Sequence, residues 1–277
     1  MRSRLLAAAL ACTALVSTTL AACGSTVQGS GHTAATCAPV FFGVPGSGQG
    51  VLNPPPTLLP AGVARGDAVQ YGTTVARLKT DLATIAGKGL ASARSVEYPA
   101  IPVSHYLGPG GLTADLDVSE ALGVTALVAA IRKSYGGGCA GRPVLLSGYS
   151  QGAEVVTRAV DALSATEQAS VSVALFGNPS YAPGVTGDFP GHTLAAGIRP
   201  TFRAGAAFAL PADVRRRTID VCAPGDPVCG VDPTVTGLFA RVAWVLKHVK
   251  IHEEAYAFGE GGYSLAAAKF LWRHRAG

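Results

Sequence analysis

Short apolar runs alternate with segments of helical periodicity along most of the chain. The runs are APVFFGV (38–44), RSVEYPA (94–100), PVLLSG (143–148), VSVALFG (171–177) and RTIDV (217–221). Their length and apolar content are typical of buried strands. Between the runs, apolar residues recur at helical spacing, as from Tyr71 to Ile85. Strands separated by such helices predict right-handed βαβ units, so we expect an α/β fold with a mostly parallel sheet covered on both faces.

One predicted helix begins at a D-x-x-E pattern. Asp117 and Glu120 have the spacing of a capping box, in which side chains at the start of a helix bond to its free backbone N–H groups. Leu122, Leu127 and Ile131 continue the apolar stripe of this helix. The helix is therefore expected to start near Asp117.

The N-terminus is expected to be an export signal. Arg2 and Arg4 precede an apolar run at 5–20, a pattern typical of a secretory signal peptide. Leu20-Ala21-Ala22-Cys23 then resembles the lipobox of bacterial lipoproteins, in which the cysteine is lipidated after cleavage. We predict a lipoprotein signal peptide at 1–22 with lipidation at Cys23. An ordinary signal peptide that contains a cysteine is the alternative.

Residues 23–36 are predicted to be a lipidated tether. The segment after Cys23 is rich in Gly, Ser and Thr, which is typical of a flexible linker. The folded domain would then cover residues 37–277 and lie outside the cytoplasm. We expect a cell-envelope lipoprotein, held at the membrane by its lipid, or a secreted protein.

Composition narrows the class of protein. Of the 277 residues, 48% are hydrophobic and 14% are charged, so the chain can bury a large core and is not disordered. The formal net charge is +5, but the basic residues are scattered apart from Arg215, Arg216 and Arg217. A mildly basic surface suits anionic lipid or glycan and argues against nucleic acid as a partner. We expect the protein to be a monomer.

Four cysteines lie beyond Cys23, and they are Cys37, Cys139, Cys222 and Cys229. An even number of cysteines in an exported chain favours disulfides. The short loop between the last two favours that local pair, which leaves the first two for each other. A zinc site with four thiolates is the alternative, but the chain has no C-x-x-C pair.

Ser150 is the candidate nucleophile. It stands in the pentapeptide GYSQG between Gly148 and Gly152, after a predicted strand and before the helix predicted at 151–163. The pattern G-x-S-x-G in this context predicts a sharp turn that exposes a serine, with glycines where side chains would strike the neighbouring strand or helix. A structural turn that merely favours small residues is the alternative.

Asp226 is the candidate acid. A serine hydroxyl needs a base to take its proton and a carboxylate to orient that base, and in this arrangement the acid follows the serine in the chain. Asp226 lies in CAPGDPVC, just after a predicted strand, where a disulfide would hold it in place. Asp232 and Glu253 are the reserve candidates, and the alternative role for Asp226 is to cap a Pro-Gly turn.

His252 is the candidate base, with His248 as the alternative. The helix predicted at 235–249 has an apolar stripe made of Val235, Leu238, Phe239, Val242, Leu246 and Val249. His248 falls on the opposite side with Trp244 and Lys247, so we interpret it as solvated. His252 comes just past the stripe, where the chain can turn the ring towards the serine.

The oxyanion of the tetrahedral intermediate needs donors that are fixed in advance. The backbone N–H of Gln151, the residue after the nucleophile, is one candidate. The second is expected in the loop GVPGSGQG (43–50), where Ser47 offers both an N–H and a hydroxyl. This loop lacks the lysine of a phosphate-binding loop, so nucleotide binding is excluded.

Several of these motifs together resemble the cutinase family of serine esterases, especially its bacterial cutinase-like members. The motifs are GYSQG at 148–152, YPA at 98–100, FGNP at 176–179, C-x-x-x-D-x-x-C at 222–229, and Cys139 eleven residues before Ser150. The likeness covers roughly residues 37–272.

The resemblance implies a three-layer α/β/α sandwich of the α/β-hydrolase type, with disulfides Cys37–Cys139 and Cys222–Cys229. It also implies that carboxylic esters are hydrolysed without a cofactor or metal, with Ser47 and Gln151 as the oxyanion hole. The chain departs from the family at two points. The family tyrosine usually stands three residues after its histidine, whereas Tyr256 is four after His252, and the segment between the acid and the histidine is long.

The long segment suggests a possible lid at 231–250. Its apolar stripe would cover an acyl-chain groove, with Arg241, Trp244 and Lys247 facing an interface; a helix packed on the core is the alternative. A lid would favour lipid-like acyl esters as substrates. The alternatives are a phospholipase or acyl thioesterase of the cell envelope, a peptidase, and a non-catalytic lipid-binding lipoprotein.

Overall fold

The apolar runs form the strands of one parallel sheet. They are β1 Val40–Val44, β2 Ser92–Ser95, β3 Val144–Tyr149, β4 Val171–Phe176 and β5 Thr218–Val221. In the computed structural model these strands lie in the order β2-β1-β3-β4-β5, and each is parallel to its neighbours. β2 begins before the run predicted at 94–100 and ends at Ser95, because the chain then leaves the sheet and the Tyr98 hydroxyl donates to the Pro45 carbonyl at 2.6 Å.

The structure describes residues 37–53, 58–102, 114–184, 195–202, 209–258 and 262–276. Contacts divide the chain into the units Met1–Ala35 and Thr36–Gly277, and every described residue belongs to the second unit. The predicted signal peptide, the lipidation site Cys23 and the tether lie outside the described residues.

Helices connect the strands. They are α1 Arg65–Tyr71, α2 Thr73–Ala86, α3 Ala114–Ser134, α4 Gln151–Asp161, α5 Ala165–Ala169, α6 Ile198–Phe202, α7 Ala212–Arg215, α8 Leu238–Glu254 and α9 Tyr263–Arg273. The periodic stretch from Tyr71 to Ile85 belongs to two helices. Gly72 interrupts it with a φ of 72°, a conformation that favours glycine.

Successive side chains of the strands enter two separate cores. Val40, Phe42 and Val44 of β1 pack with α3 and α4 on one face of the sheet, whereas Phe41 packs with α2 and α9 on the other. Strands buried on both faces read as continuous apolar runs, which is why no alternation with polar residues appears in the sequence. The predicted three-layer α/β/α sandwich is confirmed.

Two disulfides join the four cysteines, and they pair Cys37 with Cys139 and Cys222 with Cys229 as expected. The second closes a loop directly after β5. Disulfides are typical of proteins that fold in oxidising compartments outside the cytoplasm. Among the described helices, none combines the length and apolar character needed to cross a bilayer.

Candidate active site

A cavity opens where the strand order changes direction. Because β1 lies between β2 and β3, the connections from β1 and from β3 leave in opposite directions, and ligands of such sheets bind at the carboxyl ends of the strands there. The loop after β1 carries Ser47, and the turn after β3 carries Ser150. Both line a cavity of about 310 Å³, and His252 lines it as well.

Ser150 stands at a strained turn between β3 and α4. Its φ is 53° and its ψ is −122°, values that non-glycine residues rarely adopt. The glycines on either side allow the sharp turn. A Cβ on Gly148 would lie 2.2 Å from the Gly152 carbonyl oxygen, and a Cβ on Gly152 would lie 2.3 Å from the Val44 carbonyl oxygen.

Asp226 and His252 form a buried hydrogen-bonded pair. The Nδ1 atom of His252 lies 2.9 Å from Oδ2 and 3.1 Å from Oδ1 of Asp226. Because an ionised carboxylate only accepts hydrogen bonds, Nδ1 carries the proton, and Nε2 is left as the basic nitrogen of a neutral ring. The pair therefore selects the tautomer that a general base requires.

Several groups keep Asp226 ionised although its side chain is fully buried. Burial by itself would raise its pKa, but the positive charge of His252 and hydrogen bonds from His252, Tyr256 and the Val228 N–H lower the pKa below its ordinary value. The Val228 N–H donates to Oδ1 at 2.7 Å from within the loop closed by Cys222 and Cys229. The disulfide thus constrains the loop that holds the carboxylate.

Tyr256 contacts the same carboxylate from the end of α8. Its hydroxyl donates to Oδ2 of Asp226 and accepts from the Ala223 N–H at 3.0 Å. Residues four apart lie on the same side of a helical turn, so His252 and Tyr256 both reach Asp226. The departure of this tyrosine from the family spacing is therefore compatible with the contact between Asp226 and His252.

Two residues beside the histidine were not singled out by the sequence analysis. The ring of Tyr149 stacks on His252 with centroids 4.9 Å apart, and its hydroxyl donates to the His252 carbonyl at 2.9 Å. Gly177, with a φ of 55°, leaves room for the imidazole, since a Cβ there would lie 2.6 Å from Cε1 of His252. The motif FGNP contained this glycine, but only the packing shows why a larger residue would collide.

Two of the other candidates, His248 and Asp232, lie away from the contact between Asp226 and His252. Nδ1 of His248 donates to the Trp244 carbonyl at 2.7 Å, one turn back in its own helix. Asp232 accepts from the Thr234 N–H and hydroxyl at the surface. Glu253 lines the cavity beside His252. Of the reserve residues, Glu253 therefore lies at the cavity, whereas Asp226 is the acid bonded to His252.

The predicted oxyanion residues are in contact. The Ser47 hydroxyl donates to Oε1 of Gln151 at 3.3 Å, and Nε2 of Gln151 donates to the Ser119 hydroxyl on α3 at 2.9 Å. Gln151 is also the first residue of α4, where backbone N–H groups have no partner within the helix. Its side chain therefore links the loop after β1 to α3. Ser119 belongs to this series of hydrogen bonds, and the sequence did not reveal its role.

A second buried ionic cluster lies behind the nucleophile helix. Arg199 of α6 donates to Glu120 of α3 at 2.6 Å and lies 3.5 Å from Glu154 of α4. Burial raises the pKa of Glu120 to about 7, helped by the charge of Glu154 and opposed by Arg199 and Arg158. The predicted capping box at Asp117 and Glu120 is therefore wrong, because Asp117 already lies in the first turn of α3 and Glu120 faces this cluster.

The expected orientation of the helix predicted at 235–249 is also wrong. Leu238, Phe239, Val242 and Leu246 face solvent, whereas Trp244 and His248 are half-buried and pack on each other with centroids 4.6 Å apart. The reason is that His252 must face Asp226. Residues four, seven, eight and eleven positions earlier in the helix share that direction, which turns the apolar stripe outwards.

Among the described residues, no three or more His, Cys, Asp or Glu side chains lie close enough together to hold a metal ion. The lining of the cavity includes the hydroxyl residue Ser150 and the imidazole residue His252. These are the groups used in acyl transfer.

Comparison with known proteins identifies the family. The sequence model of the cutinase family matches residues 62–247. A search of curated proteins gave no match. A cutinase-like protein from Cryptococcus sp. superimposes with a TM-score of 0.59 at 19% identity, covering 88% of this chain and 98% of that one. The catalytic core domain of an acetyl xylan esterase from Trichoderma reesei gives a TM-score of 0.53 at 21% identity, covering 84% and 98%. The chain belongs to the cutinase family and is a carboxylic ester hydrolase.

Proposed function

We propose that the protein is a serine esterase that hydrolyses lipid-like acyl esters through Ser150, His252 and Asp226. The observation that carries the proposal is that Ser150 lines one cavity with His252, whose other ring nitrogen is bonded to a buried carboxylate. A nucleophile, a base and a group that orients the base are the elements of two-step acyl transfer.

In the first step, Nε2 of His252 takes the proton of the Ser150 hydroxyl as Oγ attacks the ester carbonyl. Asp226 orients the imidazole and stabilises its positive charge. The tetrahedral intermediate then collapses, and the proton on Nε2 passes to the leaving alcohol. Water attacks the resulting acyl-enzyme, with His252 again as base, and the carboxylic acid leaves while Ser150 regains its proton.

The backbone N–H groups of Gln151 and Ser47 would bind the oxyanion, and the Ser47 hydroxyl would add a third donor by turning its proton from Gln151 to the oxyanion. Donors that are fixed before the reaction are worth several kcal/mol each, roughly 10²-fold to 10³-fold in rate. The hydrogen bond between Ser47 and Gln151 supports this role, because it holds the two residues against each other.

An acyl chain is the ligand that the cavity walls favour. Ala68, Val69 and Val249 contribute apolar side chains to the lining, beside Ser150 and His252. Clefts that bind organic ligands are largely apolar with a few polar groups that fix orientation. A phospholipid, an acylglycerol or an acyl thioester would each present such a chain next to a reactive carbonyl.

The decisive variant is Ser150→Ala, assayed with p-nitrophenyl esters of increasing acyl length. We expect a loss of at least about 10⁵-fold in kcat, because the triad acts as a unit. Ser134→Ala is the matched control, since its hydroxyl donates to the Ile131 carbonyl of its own helix turn. Labelling by a fluorophosphonate tests the same point. An unlabelled parent protein, or a Ser150→Ala variant that still turns over, would identify a non-catalytic or differently built protein.

We also propose that Cys23 carries a lipid and that residues 23–36 tether the enzyme to the cell envelope. The lipobox-like sequence before Cys23 supports this proposal. Mass spectrometry of the exported protein should show a diacylglyceryl group on Cys23 that Cys23→Ser removes. An unmodified cysteine, or cleavage elsewhere, would indicate a secreted protein with an ordinary signal peptide.

A further inference from the structure

The outer face of α8 is an unusual surface. Leu238, Phe239, Val242 and Leu246, here called the α8 stripe, are 61%, 89%, 42% and 58% exposed. Of the 17 residues of this helix, all of which the structure describes, only His252 is buried. A soluble protein seldom exposes several large apolar side chains on one helix face unless they meet a partner.

The contact between His252 and Asp226 determines which way the α8 stripe faces. His252 near the C-terminus of α8 faces Asp226, and Trp244 and His248 follow it inwards. At about 100° per residue, Phe239, Val242 and Leu246 point away from the direction of His252 by roughly 80° to 140° around the same helix. They therefore stay at the surface while His252 is bonded to Asp226.

The α8 stripe borders the cavity of Ser150. Val249 and Glu253, within two turns of Leu246, line the cavity themselves. Gly50 belongs to another part of the lining, and the next residues, Val51 and Leu52, are 40% and 65% exposed. Exposed apolar side chains therefore adjoin two parts of the cavity wall.

The charges beside the α8 stripe are all positive from Leu238 to Lys250. The ionisable side chains in that stretch other than His248 are Arg241, Lys247 and Lys250, and no acid occurs there. Lys250 follows Leu246 by one turn and continues its face. Its side chain is 77% exposed, and its Nζ lies 3.6 Å from Glu254, which is itself 56% exposed, so the pair is open to solvent and to other anions. Long lysine side chains can lie along an apolar surface while their ammonium groups reach anionic headgroups.

We propose that the α8 stripe docks on the surface of a lipid bilayer that contains anionic headgroups. The four apolar side chains would enter the boundary between headgroups and acyl chains, and Lys247 and Lys250 would contact the headgroups. The cavity beside Val249 would then open at the lipid surface. The proposal goes beyond the proposed ester hydrolysis, because docking requires neither Ser150 nor an acyl-enzyme.

Vesicle binding tests the proposal without involving catalysis. Every protein carries Ser150→Ala, so that lipid is not consumed, and Cys23→Ser, so that no acyl group is attached. Binding is measured by co-sedimentation with vesicles of phosphatidylcholine alone or with phosphatidylglycerol. We expect the parent to bind the anionic vesicles more tightly than the neutral ones. The double variant Phe239→Ser/Leu246→Ser should bind at least about tenfold more weakly to both.

A second double variant measures the contribution of the basic side chains, and a third variant is the control. Lys247→Gln/Lys250→Gln should remove most of the preference for anionic vesicles, about tenfold, while retaining the binding to neutral ones. Leu265→Ser is the matched control, because it removes a leucine that is 41% exposed on α9. It should bind within about twofold of the parent. Unchanged unfolding midpoints show that each variant is folded.

Three outcomes would overturn the proposal. The parent could fail to bind either vesicle, or the double variant could bind as tightly as the parent. Sedimentation equilibrium could also reveal a dimer that Phe239→Ser dissociates, in which case a second copy of the chain covers the α8 stripe. Ester assays in which Ser150→Ala is as active as the parent would overturn the proposed hydrolysis and leave the vesicle result unchanged.

Discussion

Two buried acidic sites flank the nucleophile helix, and their carboxylates behave in opposite ways. Asp226, at the carboxyl end of the sheet, has a pKa below its ordinary value. Glu120, in the cluster with Glu154 and Arg199, has a pKa raised to about 7. Both side chains are almost completely removed from solvent. Burial alone therefore does not determine whether a carboxylate of this protein stays charged.

The difference lies in how the donors are shared. Asp226 has its own hydrogen-bond donor in Nδ1 of His252, together with a fixed backbone N–H from Val228 and the hydroxyl of Tyr256. Burial is the largest cause of the raised pKa of Glu120. Arg199 and Arg158 oppose it, but Arg199 is shared with Glu154, whose negative charge raises the pKa of Glu120 further. A neighbouring carboxylate thus weakens what a shared cation contributes. The same amide substitution at the two sites should have very different consequences.

The largest expected effect is that of Asp226→Asn on catalysis. The amide cannot hold His252 in the required tautomer, so kcat should fall by roughly 10³-fold to 10⁴-fold, about 4 to 5.5 kcal/mol. Glu120→Gln is the matched control, because it makes the same chemical change at a buried acid that does not contact His252. Its kcat should stay within about threefold of the parent. Equal losses in the two variants would contradict the assignment of the acid.

The next largest effect is expected from Arg199→Met on stability. Removing Arg199 leaves Glu120 and Glu154 buried near each other with Arg158 as the remaining ion-pair partner of Glu120. Breaking a buried ion pair costs about 3 to 5 kcal/mol of unfolding free energy. Urea unfolding measures the loss. Arg216→Met is the control, since Arg216 and Asp213 are exposed by 72% and 74%, and it should change stability by less than about 0.5 kcal/mol. A small loss at Arg199 would mean that the cluster contributes little.

The two sites also predict opposite slopes of stability against pH. A carboxyl whose pKa is raised in the folded state binds its proton more tightly there, so Glu120 lowers stability by roughly 3 kcal/mol as the pH rises from about 4.5 to 7. Asp226, with a lowered pKa, contributes stability above its unfolded pKa that is lost as the pH falls through its folded pKa. Urea unfolding between pH 3 and 8 measures both slopes, a range of about five pH units.

Glu120→Gln should flatten the decline between about pH 4.5 and 7 and leave the loss of stability at lower pH in place. Asp226→Asn should weaken the loss at low pH instead. If Glu120→Gln left the profile unchanged, the raised pKa of Glu120 would be refuted.

The smallest effect is expected from Tyr256→Phe. The substitution removes one donor from Asp226 and leaves the Ala223 N–H without its acceptor, while His252 and Val228 still contact the carboxylate. We expect kcat to fall about fivefold and stability to fall by about 1 to 2 kcal/mol. Tyr135→Phe is the control, because its hydroxyl bonds to Ser170 and Glu167. It should leave kcat unchanged, and a comparable loss there would indicate a general effect of removing a hydroxyl.

The local pattern predicted most of the scaffold. The apolar runs predicted β1, β3, β4 and β5, because a strand buried on both faces is apolar at most positions. The run at 94–100 overlaps β2 only at Arg94 and Ser95, since β2 is a short edge strand that is not fully buried. The local sequence pattern failed where a contact with a distant residue overrides a local preference. Asp117 and Glu120 have the spacing of a capping box, yet Glu120 binds Arg199, which lies 79 residues further along the chain.

The chemistry of the site was also visible in short motifs. GYSQG indicated the turn at Ser150, and the cysteine frame indicated Asp226, because each motif combines a special backbone shape with a reactive side chain. Tyr149 and Gly177 were not recognised, since their roles arise from a contact with His252 across 103 and 75 positions of sequence. Such contacts leave no periodic or local signature.

The sequence by itself determined the order of the strands and helices, the strand-to-helix turn at Ser150 and the pairing options of the cysteines, because each of these depends on neighbours in the chain. Only the tertiary structure decided which histidine meets Asp226 and which way α8 faces. A helix can rotate about its axis without any change in its own hydrogen bonds. The rotation of α8 is therefore set by what His252 contacts in the folded protein, and that contact directs the α8 stripe to the surface.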